Sequence, residues 1–312
     1  MADLSHEHGA LTKAFSGLGV DEKALISIVG NWQHDQKHSF RKASPHHFLA
    51  DERQFEKWNE QQVELIKHEV LRFKSAVVLW TMHPWERDAR LFKEALTKGP
   101  DGYSLIIEVA CTRSSEELLG ARKAYHSLFD SSVEEDVASH VHGHERKLLV
   151  ALVSAYRYEG SRVHDESAKS EAEALHHAIK KNLPVEDEEV VRILSTRSKL
   201  HLKAIFSHYK ELFGKDLDEE FHGFWSLKVA LQCLVIPEVY FSEVLDVALR
   251  KGANEFTQEA LTRVIVSQAD VYMKEIQAVY YKRFGANLSQ KIEETCLGNF
   301  KDFLLTLVAR GD

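Results

Sequence analysis

The segments VACTRSSEELLGARKAYHSLF (109–129), ILSTRSKLHLKAIFSHYKELF (193–213) and VIVSQADVYMKEIQAVYYKRF (264–284) decide the fold. With Arg113, Arg197 and Gln268 set in register, a tyrosine follows twelve residues on in each (Tyr125, Tyr209, Tyr280), and a phenylalanine four beyond that (Phe129, Phe213, Phe284). Residues four apart are neighbours on one helix face, so the beat describes the same helix three times. Apolar residues keep helical spacing around it, as in Leu105, Ile106, Val109 and Ala110, then Leu118, Ala121, Ala124, Tyr125 and Leu128. Alternating, strand-like stretches are scarce, and five prolines and fifteen glycines leave the periodic segments almost uninterrupted. The expected class is all-α, with helices of roughly 8 to 16 residues.

Outward from these segments the repetition continues. An earlier copy, ALISIVGNWQHDQKHSFRKA (24–43), keeps Trp32 in register and loses the tyrosine and phenylalanine. Each copy closes with an apolar helix: FKSAVVLW from 73, RKLLVALV from 146, SLKVALQCLV from 226 and FKDFLLTLV from 300. Four copies of roughly seventy to eighty residues are too long for the thirty- to forty-residue helical solenoids. The expected division is 1–84, 85–158, 171–236 and 237–312, with a linker at 159–170 inside the polar stretch EGSRVHDESAKSEAE. Two pairs of repeats, one on each side of that connector, follow from this reading. Thr112, Ser114, Thr196 and Ser198 are expected to cap helix N-termini. Gly143, Gly214, Gly223, Gly285 and Gly298 are expected to terminate helices.

The chain of 312 residues carries 40 Lys plus Arg against 48 Asp plus Glu, a formal charge of −8. Like charge opposes DNA, RNA and anionic lipid alike, so no nucleic-acid partner is expected, and any anionic partner needs a positive face or a bound cation. Three cysteines, Cys111, Cys233 and Cys296, are far apart and form no CxxC pair, which speaks against a disulfide framework or zinc finger. The N-terminal stretch MADLSHEHGALTKAF lacks signal-peptide character, and no apolar run approaches the roughly 18 to 20 residues of a membrane span. A cytoplasmic protein is expected.

One loop offers chemistry. In LTKAFSGLGVDEKALISIV (11–29), Gly17 and Gly19 allow positive φ and turn carbonyls outward. An arc of carbonyl oxygens suits Ca²⁺, a hard ion that takes six to eight oxygens. A plain helix connection is the alternative for the same residues.

The four copies, the GLGVDE loop, the TRS helix junctions and the KLLVALV-type closing helices resemble the annexin family over essentially the whole chain. HPWERDARLFKEAL (83–96) and ASHVHGHERKLLVALVSAYRYEG (138–160) are similar to plant annexins in particular. The resemblance implies four repeats of about five helices each, forming a curved disc with calcium loops on its convex face. It also implies calcium-dependent, reversible binding to acidic phospholipid membranes, with Ca²⁺ bridging loop carbonyls to lipid phosphate. Other proteins, cytoskeletal ones included, are implied as further partners.

The family's ligand pattern carries over position by position. In copy one the carbonyls match Phe15, Gly17 and Gly19. The family's bidentate carboxylate stands five residues before the aromatic opening the closing helix; from Phe73 that position is His68, with Glu69 beside it. An insertion of about nine residues around SPHHFLADERQFEKW (44–58) allows a one-residue slip, which points to Glu69. Copy two pairs Lys98-Gly99-Pro100-Asp101 with His140, and copy three pairs Asn182-Leu183-Pro184-Val185 with Phe224; both sites are expected to be lost. Copy four pairs Lys251-Gly252-Ala253-Asn254-Glu255 with Thr295, next to Glu293 and Glu294. An incomplete site through Lys251, Ala253, Glu255 and Glu294 is expected there.

Eighteen histidines include no HExxH, so zinc is not expected. His68 and His140 stand where the family has acids, and protonated they would face acidic lipid with positive charge. Asn31 occupies the place of the histidine to which haem-peroxidase activity of plant annexins is ascribed. No GxxxxGK[ST] and no catalytic triad is legible either, and no enzymatic activity is expected. Cys111 and Cys233 match a cysteine pair for which the resemblance implies a redox role, while their apolar helical setting implies inert packing. Asp88, Glu108 and Arg113 match polar positions of the family's central channel, where ion pairs between the two halves are expected; Gln268 replaces the fourth repeat's arginine. A calcium-insensitive helical scaffold for a protein partner or lipid is the alternative function.

Overall fold

The computed structural model describes residues 22–61, 63, 72–181, 184–296 and 298–311. Repeat one contributes α1 (Glu22–Val29), α2 (His34–Ala43), β1 (Phe48–Asp51), β2 (Phe55–Trp58) and α3 (Arg72–Thr81). Repeat two is α4 (Pro84–Thr97), α5 (Tyr103–Thr112), α6 (Ser115–Phe129), α7 (Val133–His140) and α8 (Glu145–Val153). Repeat three is α9 (Asp165–Ile179), α10 (Glu188–Thr196), α11 (Lys199–Phe213), α12 (Leu217–Glu220) and α13 (Trp225–Val235). Repeat four is α14 (Pro237–Ala248), α15 (Glu255–Gln268), α16 (Met273–Phe284), α17 (Leu288–Thr295) and α18 (Gly298–Val308). Repeats two to four thus show five helices each.

The helices group differently from the expected pairing. Residues 84–240 form one compact unit, and residues 1–83 with 241–312 the other. Repeats two and three therefore belong together across the connector, because the apolar faces of α5 and α13, and of α8 and α10, pack on each other. The connector is also shorter than 159–170. Helix α9 begins at Asp165, with acids in its first turn and Ala168, Ala172 and Leu175 on its buried face. In the other unit, α3 packs on α15 and α18, and α1 packs on α18. There the Lys37 ammonium lies 3.6 Å from the Trp80 ring centroid and 2.8 Å from Asp270, which also accepts from Arg310 at 2.7 Å.

The tyrosine–phenylalanine beat has a physical cause. Tyr125, Tyr209 and Tyr280 are buried, and each ring lies 4.9 Å from that of the phenylalanine four residues on. A buried phenol needs a partner: the Tyr125 hydroxyl donates to Asp136 (2.5 Å), and that of Tyr209 pairs with His176 Nδ1 (3.0 Å).

Capping follows the sequence in part. Ser114 caps α6 in a reciprocal box with Glu117, and Ser198 caps α11 through the His201 N–H at 3.1 Å. The threonines do otherwise: Thr112 donates to the Glu108 carbonyl at 2.7 Å and Thr196 to that of Arg192 at 2.6 Å, each back into its own helix. Gly214 and Gly285 end α11 and α16 at φ of 71° and 68°, and Asp130 takes the same left-handed position after α6 at φ 50°.

The insertion in repeat one departs from the all-helical pattern. It folds as an antiparallel hairpin pairing Phe48 with Trp58 and Asp51 with Phe55. Gln54, at φ 69°, closes the turn by donating its N–H to the Asp51 carbonyl at 3.0 Å. Phe48 and Trp58 are buried with centroids 4.5 Å apart, and through Phe40 they continue an aromatic row to Trp32. The extra residues thus extend the core rather than loop into solvent.

Candidate calcium site

Phe15, Gly17, Gly19 and Glu69, with His68, lie outside the described residues. The repeat-four loop is described. Past α14, the Ala253 N–H donates to the Arg250 carbonyl at 3.3 Å, and Gly252 between them has φ 82°, a conformation that favours glycine. The Asn254 side chain then caps α15 by accepting from the Thr257 N–H at 2.9 Å. The Ala253 carbonyl, an expected ligand, already accepts from Gln258 Nε2 at 2.7 Å, which occupies one of its two lone pairs. Lys251 is exposed, and Glu255 opens α15. Glu294 accepts from Gln290 at 2.9 Å and from Lys291 at 3.0 Å, and the lysine bond, more than the glutamine one, holds its carboxyl below its ordinary range. Thr295 donates to the Lys291 carbonyl within α17. Glu294 is thus tied along its own helix, and among the described residues no three His, Cys, Asp or Glu side chains converge to hold a metal. Ligand chemistry at repeat four fits calcium poorly.

Repeats two and three replace the open loop with short 3₁₀ turns, Gly99–Gly102 and Pro184–Glu186. Neither offers a carboxylate at the acid position. His140 Nδ1 lies 2.8 Å from the Asp136 carbonyl, and Phe224 leads directly into α13.

The channel-type residues are buried, and two of them form an ion pair. Arg113 holds Asp88 through Nε–Oδ2 (2.6 Å) and Nη2–Oδ1 (2.8 Å), while Glu108 accepts from the Tyr240 hydroxyl at 3.0 Å. Burial penalises the Arg113 charge, but Asp88 raises its pKa overall. The Arg113–Asp88 pair lies inside repeat two, not between the two halves. Repeat three has a counterpart that the sequence reading missed: Glu171 accepts from Arg197 (2.8 Å), Arg192 (2.7 Å) and His201 Nε2 (2.9 Å). Its legible signal was an acid 26 residues before the register arginine, one more than the 25 that separate Asp88 from Arg113. Two more cations, Arg157 buried and Lys199 half-buried, close helix ends. Lys199 donates to the carbonyls of Thr112 (3.1 Å) and Arg113 (3.3 Å), and Arg157 to those of Arg197 (2.8 Å) and Leu194. Cys111 and Cys233 are buried free thiols, and burial pushes Cys111 up to about 11 and Cys233 well above its ordinary value.

The architecture is that of a four-repeat helical protein. The Annexin family model matches residues 87–152 and 170–226. Annexin D4 of Arabidopsis thaliana is 54% identical over 317 aligned residues, covering 99% of each chain. Annexin-like protein RJ4 of Fragaria ananassa is 40% identical, covering 97% of this chain and 95% of the relative. Among solved structures, annexin III superposes with a TM-score of 0.83 at 25% identity, covering 100% of this chain and 95% of that one. Chicken annexin V in complex with Zn²⁺ superposes at 0.80 and 25% identity, covering 99% and 96%. The chain belongs to the annexin family, a family of calcium-dependent phospholipid-binding proteins.

Proposed function

We propose that the protein attaches reversibly to acidic phospholipid membranes when calcium rises, through the repeat-one loop. The observation that carries this reading is 54% identity to an annexin along the whole chain. The sequence narrows it to repeat one, because His140 and Phe224 displace the acid in repeats two and three and the repeat-four groups are engaged elsewhere. The carbonyls of Phe15, Gly17 and Gly19 and the carboxylate of Glu69 are the proposed ligands. Bound Ca²⁺ would supply the positive charge that joins the acidic protein to lipid phosphate. Peripheral attachment agrees with the absence, among the described residues, of any helix long and apolar enough to cross a membrane. The protein is read as a cytoplasmic binding protein without catalytic turnover.

Liposome co-sedimentation across a calcium titration tests the assignment. Gly17→Glu and Glu69→Ala are expected to shift half-maximal binding to higher calcium. If wild type and both variants bind alike at every calcium level, repeat one is not the site.

A further inference from the structure

In the unit formed by residues 1–83 and 241–312, the turn Ala309–Gly311 grips the end of α1. Helix α1 has eight residues, and the carbonyls of its last turn have no partner within the helix. Two donors from elsewhere take them. The Trp80 indole N–H donates to the Val29 carbonyl at 2.7 Å, and Arg310 Nη1 donates to the Gly30 carbonyl at 3.0 Å. A positive charge at this point also suits the negative end of the helix dipole. Helix α18 presses on the same spot: a β-carbon on Gly30 would lie 2.5 Å from Thr306 Cγ2.

Arg310 is itself held on three sides. Its Nε and Nη2 reach Asp270 Oδ1 at 2.7 and 2.6 Å, and Lys37 donates to Oδ2 at 2.8 Å. Both cations cover the Trp80 ring, Lys37 at 3.6 Å and Arg310 at 5.4 Å from its centroid. The turn carrying Arg310 is seated on α16, where Gln277 Nε2 donates to the Val308 carbonyl at 3.1 Å. Only 11% of the Arg310 side chain is exposed, so its bonds are screened less than those of a surface ion pair.

The two helices joined by Arg310 each follow a repeat's loop. Gly17 and Gly19 stand just upstream of α1, and Lys251 to Asn254 stand just upstream of α15, whose far end leads to Asp270. One guanidinium thus ties together the C-terminal ends of the loop helices of repeats one and four. In the other unit Arg157 holds α10 through the Arg197 and Leu194 carbonyls, in a repeat whose acid position is Phe224. There the cation finishes a helix that has no calcium carboxylate to serve.

We propose, on the repeat-one assignment above, that Arg310 is a positioning residue for calcium at the repeat-one loop. It holds α1 in the place from which that loop presents its carbonyls. Eight helical residues make a rod of about 12 Å, so a tilt at the gripped end is carried to the loop end. Calcium takes its oxygens over a window of about 2.3–2.6 Å, so a displacement of roughly a few tenths of an ångström weakens binding. Arg310 touches neither ion nor lipid and acts through α1. The coupling is reciprocal: if this latch strengthens calcium binding, calcium strengthens the latch by the same factor.

The test is calcium-titrated co-sedimentation of the full chain with phosphatidylserine–phosphatidylcholine vesicles at pH 7.4. Arg310→Ala is expected to need roughly threefold to tenfold more calcium for half-maximal binding. Arg310→Lys, which keeps the charge and loses the planar fork, should fall between Arg310→Ala and wild type. Glu171→Gln loosens the other unit and is expected to keep the wild-type midpoint, which separates positioning from a general loss of stability. Fluorine NMR of the chain with its five tryptophans replaced by 5-fluorotryptophan reads the reciprocal effect. The resonance missing in Trp80→Phe should shift when calcium is added without lipid, and should stay in place in Gly17→Glu. This readout uses the wild-type fold and stands even if Arg310→Ala unfolds. An unchanged midpoint in a folded Arg310→Ala, an equal shift in Glu171→Gln, or a Trp80 resonance that ignores calcium overturns the proposal. Gly17→Glu distinguishes the two readings. If it binds like wild type, the repeat-one site fails and the latch with it; if it loses binding while Arg310→Ala does not, the latch alone fails.

Discussion

Arg113 and Asp88 share a two-point fork with only 8% and 1% of their side chains exposed. Arg197 and Glu171 repeat it 84 and 83 residues on. In repeat four the corresponding positions are Ser242 and Gln268, both buried and both neutral, and Gln268 Oε1 has no hydrogen-bond partner among the described residues. Acid and arginine are replaced together, as electrostatics requires, since either charge alone in a buried site costs about 3–5 kcal/mol.

This correlation predicts a double-mutant cycle. Gln268→Arg alone should destabilise the fold, and adding Ser242→Asp should recover part of the loss, with a coupling of about 1–3 kcal/mol. Urea unfolding of the four proteins measures it. Strictly additive effects would show that the two positions do not pair.

The helical framework was legible because its signals are local. Tyr125 and Phe129 stack on one helix face, so their spacing survives in the sequence. Ser114 and Ser198 read correctly as caps, whereas Thr112 and Thr196 misled because a hydroxyl at a helix end has a carbonyl four residues back to bond instead. The Glu171 cluster was missed because its members lie on α9, α10 and α11, and no helical period links them. The hairpin was missed because its strands have four residues each and bury aromatics on both faces, Phe48 and Trp58 on one and Phe55 on the other. In the repeat-four loop the backbone was legible and the side chain that occupies it, Gln258, was not.

The Glu171 cluster gives a pH prediction. Burial pushes its carboxyl up, but hydrogen bonds from Arg197, Arg192 and His201 outweigh that and hold it below the usual carboxylate range. A depressed folded-state value stabilises the fold at neutral pH, and the contribution fades as pH falls below about 4. Glu171→Gln should therefore cost about 1–3 kcal/mol at pH 7, and less at pH 3.5. Urea midpoints at the two pH values check this; an equal gap at both would mean the charge is not what matters.

Asp130 holds a left-handed conformation where repeats three and four use Gly214 and Gly285. An L-residue pays about 1–2 kcal/mol there, offset in part by the greater freedom of unfolded glycine. Asp130→Gly is expected to stabilise the protein by up to about 1 kcal/mol, read as a rise in Tm. A fall in Tm would contradict it.

Cys111 and Cys233 should resist alkylation. A thiol pushed up to about 11 carries almost no thiolate at pH 7.5, and burial blocks the reagent as well. Iodoacetamide labelling followed by mass spectrometry should find both unmodified in the native protein and both modified in urea. Rapid native labelling of either would reopen a redox role.

Lys199 and Arg157 bear on how the 84–240 unit assembles. The ammonium that closes the end of α5 comes from the first residue of α11, and the guanidinium that closes α10 comes from the tail of repeat two. Each repeat thus supplies the cation that finishes a helix in the other. The stretch that recurs in the sequence is therefore shorter than the stretch that can fold. Repeat two cut away at residue 158 would leave the last carbonyls of α5 without their lysine and the Arg157 charge without an acceptor. Each segment that recurs along the chain is completed by its neighbour, and melting of this unit should run through both repeats at once.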